Sequence, residues 1–169
     1  MDSFTETLQT WQLFYATVAT VAATLTGLLF VSLSLNRERL KGARASDVIA
    51  IARNTFGDFL YVLMIALVFI VPHQIPIGLT VALLVLGIAS GTGMIIREAS
   101  RPRRRRKRAN QSVLMIRRIA LPTIASLGLI LVAIEIALNN YVAIYGLVVV
   151  ISALLVTACW NAWQLLLEE

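Results

Sequence analysis

One cysteine and one histidine occur in 169 residues, and each scarcity removes a class of chemistry. Cys159 alone excludes an internal disulfide, and with His73 as the sole histidine no Cys/His metal-ligand spacing exists, so no metal is expected. Charge is scarce as well. Asp, Glu, Lys and Arg make up 14% of the chain, where a soluble domain carries about a quarter. No glycine-rich phosphate loop, HExxH or GxSxG occurs, and "ASGTG" (89–93) lacks the context of a nucleophile elbow. An intramembrane aspartyl protease needs two aspartates at one depth, and the apolar runs hold only Asp58. The expectation is a protein that is not an enzyme and takes no cofactor. The opening "MDSFTET" has no basic segment, which argues against a cleavable signal peptide. No inverted repeat is evident, and an odd number of spans disfavours a transporter of two equal halves.

What the sequence has is apolar length. It is 59% hydrophobic, with mean hydropathy +0.82. Five runs approach or exceed the roughly 20 residues that cross a hydrocarbon core of about 30 Å: 11–35, 48–71, 77–97, 117–138 and 141–166. They are continuously apolar rather than alternating, which indicates helices and not a barrel. The expected fold class is all-α, a single polytopic domain over 1–169 with five transmembrane helices. A four-span alternative would lay the second or third run along the interface. Ser3 with Glu6 fits a capping box for the first helix, and Ser46 or Asp47 can cap the second. "VPHQIP" (71–76) carries two prolines and forces a tight reversal, and "NN" (139–140) is an equally short turn. Connections this short make antiparallel neighbours.

The net charge is +6, and pI near 10.2 could suggest nucleic acid, but the cations are confined to the junctions. Arg37, Arg39, Lys41 and Arg44 follow the first run, within a loop at 36–47. Arg97, then Arg101, Arg103, Arg104, Arg105, Arg106, Lys107 and Arg108, lie at the end of the third run and in a loop at 98–116. Arg117 and Arg118 open the fourth run, and Arg53 sits early in the second. The other junctions have none. Five spans put both loops on one side, which the positive-inside rule makes cytoplasmic, with the N-terminus outside and the C-terminus inside. Trp11, Tyr15, Tyr141 and Tyr145 then lie near the outer boundary, and Trp160 and Trp163 near the inner one. The run "RPRRRRKR" (101–108) reads as a topology lock against anionic lipid headgroups, each cation contributing about 1 kcal/mol. A docking site for an acidic partner segment is the alternative. Nucleic acid is disfavoured because no aromatic is interleaved to stack bases.

Ionisable groups inside an apolar span are functional candidates by default. Arg53 leans toward the start of its helix and can snorkel to the surface. Asp58 is deeper. Asn54 and Asp58 share one helix face and Tyr61 continues it, whereas Arg53 and Asp58 are about 140° apart. This face is read either as an ion- or proton-contacting site or as a buried hydrogen bond that fixes packing. Glu135 lies near the outer surface and calls for a partner, from Asn139 or a neighbouring hydroxyl. Along the first run, Thr17, Thr20, Thr24, Gly27, Val31 and Ser34 form a small, polar seam, and Gly87 with Gly91 forms a GxxxG pair. These are helix-packing faces, within the chain or between subunits, or else the lining of a pore.

"TLTGLLFVSLSLN" (24–36), the basic residues after it, "VPHQ" (71–74) and the closing "NAWQLLLEE" (161–169) together resemble a family of small, uncharacterised bacterial integral membrane proteins. Some members carry an automated label as modulators of the FtsH protease. The resemblance implies a bacterial inner membrane and brings no catalytic residues; the 101–108 run is heavier in charge than the family leads one to expect. Two functions follow as expectations. One is a homo-oligomeric bundle with a channel-like ion pathway near Asp58. The other is a regulatory or scaffold subunit that binds another membrane protein, such as a membrane protease, through small-residue helix faces and the basic loop.

Overall fold

The computed structural model describes residues 3–35, 45–99 and 112–167, with side chains over 4–35, 49, 51–93, 123–140 and 142–163. Among these residues there are five α-helices and no strand: α1 (Ser3–Leu35), α2 (Ala45–Ile70), α3 (Pro76–Ala99), α4 (Ser112–Ala137) and α5 (Ile144–Leu167), the last preceded by a 3-10 turn at Tyr141–Ala143. The all-helical reading holds. Four helices are long and apolar enough to cross a membrane, through Phe4–Leu35, Ile51–Ile70, Pro76–Gly93 and Ile144–Trp163. The described apolar stretch of α4 is shorter, Thr123–Ala137. Pro122 stands just before it, inside α4, where the missing N–H leaves the Arg118 carbonyl without its helical donor. The run 101–108 and most of both basic loops lie outside the described residues.

The helix ends follow from local chemistry. α1 is helical from Ser3, its first described residue. α2 begins at Ala45, so Ser46 and Asp47 fall inside its first turn instead of ahead of it. Pro72 has no N–H to continue α2, which stops at Ile70, and His73 takes a left-handed φ of 55°. Pro76 then occupies the first position of α3, where its fixed φ is already helical, and Leu79 N–H donates to the Ile75 carbonyl at 3.1 Å. "NN" is a Schellman cap on α4. Asn139 takes φ 62°, its N–H donates to Ile136 O at 3.0 Å, and the Asn140 N–H reaches back to Glu135 O at 2.9 Å.

Packing divides the chain into two compact units, Met1–His73 with Ile151–Glu169, and Gln74–Val150. In the first, α1 and α2 pair. Tyr15 meets Phe69 and Leu29 meets Phe59, so the helices run antiparallel. Leu29, Phe59 and Ala158 of α5 form a buried cluster, enclosed by Leu25, Leu33 and Leu155. The buried stripe of α2, Ala52, Thr55, Phe59, Val62, Ile65, Ala66 and Phe69, steps by three and four, as one helix face must.

In the second unit α3 pairs with α4 at its glycines. A methyl group on Gly87 would fall 2.7 Å from Cγ1 of Ile130 and 3.4 Å from the Ser126 carbonyl. One on Gly91 would stand 4.0 Å from Ser126 Oγ. Farther along, Gly128 of α4 faces Val150 and Gly146 of α5 faces Val132. Where the surroundings are as apolar as the side chains, close backbone approach through small residues does the work that burial does in water. Gly87 carries that approach and Gly91 does not. Gly87→Ala is therefore expected to lower unfolding stability in detergent by about 1–3 kcal/mol, whereas Gly91→Ala leaves it within about 0.5 kcal/mol. Equal SDS-unfolding midpoints for the two variants would contradict this.

Candidate functional site

Three features of the first unit have the character of a site: a polar flank on α2, a small-residue face on α1 and a buried tyrosine. The α2 flank starts from Thr55, which is fully buried and donates its hydroxyl to the Ile51 carbonyl at 3.0 Å. At 100° per residue, Asn54, Asp58 and Tyr61 lie about 60° to 120° from Thr55, all on the same side. All three are half-buried. Asp58 and Tyr61 are each engaged with neighbouring groups. The structure thus keeps together the three residues that the spacing groups, at the border of the packed stripe rather than inside it.

The α1 face is placed differently. The buried residues of α1, Tyr15, Val18, Ala19, Ala22 and Leu29, define the side that meets α2. Thr17, Thr20, Thr24, Gly27 and Val31 are exposed and lie roughly opposite, about 140° to 180° from Ala22. Among the described residues, no heavy atom beyond its own stretch of helix backbone comes within 4 Å of where a Gly27 methyl would be. Each threonine turns its hydroxyl back onto its own helix: Thr17 to Leu13 O at 2.9 Å, Thr20 to Ala16 O at 2.9 Å and Thr24 to Thr20 O at 2.8 Å. Ser34 does the same to Val31 O at 2.8 Å. The donors are used up internally, so the face shows methyl groups and acceptor lone pairs. Because it points away from α2, the seam shares no lining with Asn54, Asp58 and Tyr61 in this unit.

In the second unit, Glu135 finds its partner one residue beyond the expected one. Asn140 Nδ2 donates to Glu135 Oε2 at 2.8 Å, across the same turn that caps α4. A local capping contact accounts for this carboxylate.

Tyr15 departs from its expected place. Spacing puts it in a belt of interfacial aromatics, yet it is fully buried. Its ring stacks on Phe69 at 4.0 Å with an interplanar angle of 6°, and Phe14 meets it edge-on at 5.2 Å. Trp160, Trp163 and Tyr145 do face outward, each more than half exposed. The Tyr15 hydroxyl is enclosed and has no hydrogen-bond partner among the described residues. Composition marked Tyr15 only as aromatic; its position one turn ahead of Val18, Ala19 and Ala22 on the buried face is the signal for its burial. Among the described residues no group of three His, Cys, Asp or Glu is placed to hold a metal ion.

An enclosed hydroxyl without a partner costs about 1–3 kcal/mol, and removing it costs no contact of the ring. Tyr15→Phe is expected to leave stability unchanged or raise it by up to that amount, read as an unfolding midpoint in detergent. A loss of more than about 1 kcal/mol would show that the hydroxyl has a partner in the folded protein.

No protein-family model, no curated protein and no solved structure matches this chain.

Proposed function

We propose that the protein is a multi-pass membrane protein of the bacterial inner membrane that works by association rather than catalysis, and that its first partner is a second copy of itself. The observation that carries this reading is the exposed α1 face of Thr17, Thr20, Thr24, Gly27 and Val31, opposite the side packed on α2. Copies inserted by one positive-inside rule share an orientation, so α1 meets α1 in parallel and residues of equal number meet at equal depth. Gly27 against Gly27 permits close approach, and the threonines bring methyl groups and no unsatisfied donor. In this reading all five helices cross, the N-terminus is outside, and the run Arg101–Arg108 holds its loop on the cytoplasmic side against anionic lipid. The family resemblance extends the same face to another membrane protein, such as a protease, as an alternative occupant.

A second reading places a cation- or proton-contacting site on the α2 flank. Its support is the grouping of Asn54, Asp58 and Tyr61 at the border of the packed stripe, within the apolar segment Ile51–Ile70. A carboxylate there is neutral, paired or wetted, and a wetted one favours cations.

Gly27→Leu separates assembly from folding, because nothing among the described residues, apart from its own helix backbone, stands within 4 Å of that position. The variant is expected to keep wild-type helicity and unfolding midpoint while self-association weakens about tenfold or more, measured by single-molecule photobleaching in dilute liposomes. Undiminished association would remove α1 as the interface. For the second reading, Asp58→Asn in vesicles should abolish any pH-dependent cation flux that the wild type shows; flux identical in the two proteins, or none in wild type, would count against it.

A further inference from the structure

Arg53 stands apart from everything above. It lies one position before Asn54 but is exposed on another face of α2, about 140° from Asp58, so that carboxylate does not neutralise it by sharing its face. Its neighbours on that face are Ile49, Phe56, Leu60, Met64 and Leu67, spaced by three and four and all substantially exposed. The face is therefore an apolar stripe with a single cation near its N-terminal end, two residues inside the segment Ile51–Ile70. A helical side chain leans toward the N-terminus, which carries the guanidinium out of the apolar segment and toward the headgroup level.

We propose that Arg53 heads a phospholipid-binding face: its guanidinium holds the lipid phosphodiester, and one acyl chain lies along Phe56, Leu60 and Met64. The dimensions agree. Eleven residues separate Arg53 from Met64, a rise of about 16 Å, and one leaflet of a core of about 30 Å is about 15 Å deep. The chemistry agrees as well. The planar fork of arginine matches two phosphate oxygens, and a guanidinium is weakly hydrated enough to sit at an apolar boundary. A partner helix on the same stripe would have to bury Arg53 with no carboxylate among the described residues of that stripe, which is strongly unfavourable.

The test uses the full chain in detergent with added phosphatidylglycerol, bound lipid being counted by native mass spectrometry. At about 1 M salt the Debye length falls to about 3 Å, which suppresses long-range attraction to the basic residues of 36–47 and 98–116 and spares a contact at an apolar boundary. Arg53→Gln is expected to lose about tenfold in lipid affinity, Arg53→Lys about two- to fivefold because the fork is gone, and Arg104→Gln less than twofold. Inorganic phosphate at matched concentration should not compete, since it has no chain for the stripe. Wild-type retention in both Arg53 variants, an equal loss in Arg104→Gln, or release by inorganic phosphate would each overturn the proposal. So would an Arg53→Gln variant that keeps its lipid but loses self-association, which would make the stripe a helix-docking face.

Discussion

An amide in apolar surroundings has to find its partner inside its own helix, and nearly every local feature of this chain answers to that demand. It selects helices for the long apolar runs. It turns the hydroxyls of Thr17, Thr20 and Thr24 back onto carbonyls of the same helix, where in water they would be free to look outward. It makes the reversals expensive places, so each uses special residues. Pro72 withholds the N–H that would extend α2, Pro76 lacks one only where it would have no helical acceptor, His73 and Asn139 accept left-handed conformations, and the Schellman bonds of Asn139 and Asn140 return orphan carbonyls of α4 to use.

Once the backbone is satisfied, the side chains are free to divide the helix surfaces. On α1 an aromatic and aliphatic face packs against α2, and the side pointing away carries small and hydroxylated residues among exposed Leu13, Leu28 and Leu35. On α2 the division is three-fold. The packed stripe through Thr55, Phe59 and Val62 is bordered on one side by Asn54, Asp58 and Tyr61, and faces away from the stripe of Arg53, Phe56 and Leu60. Burial alone does not explain so orderly a partition. In an apolar medium a small or polar residue facing outward gains nothing from the medium itself, so the outward faces are the ones that demand a functional account.

Much of this was legible in the residues, because apolar run length and helical periodicity are local properties. The five helices, the turn at "VPHQIP" and the common face of Asn54, Asp58 and Tyr61 all follow from spacing. Other features depend on what stands opposite, and one sequence does not contain its neighbours. Gly87 and Gly91 read as equivalent members of a GxxxG pair, yet only Gly87 is pressed against Ile130. Tyr15 reads as an interfacial aromatic, and Phe69, 54 positions away, makes it a core residue instead. Spacing offers Glu135 a partner at Asn139 or a neighbouring hydroxyl, and the left-handed turn at Asn139 also brings Asn140 back toward the helix to donate to it.

The separation of Arg53 from Asp58 is the sharpest instance of this division. Had the two stood three or four residues apart, they would have formed an intrahelical ion pair, each cancelling the demand of the other. Five residues and about 140° prevent it, so the cation and the carboxylate must be answered by different surroundings. The cation sits where an apolar stripe begins and can lean toward headgroups. The carboxylate sits deeper, beside an amide and a phenol, at the edge of packed protein. A chain that needed only to anchor itself would have no use for the second group, and one that needed only a buried polar contact would have none for the first. On the proposed lipid contact at Arg53, holding both on one helix, out of reach of each other, would tie the depth of α2 to the position of Asp58, and a change in that contact would shift the carboxylate on the face of Asn54 and Tyr61 without a hinge or loop.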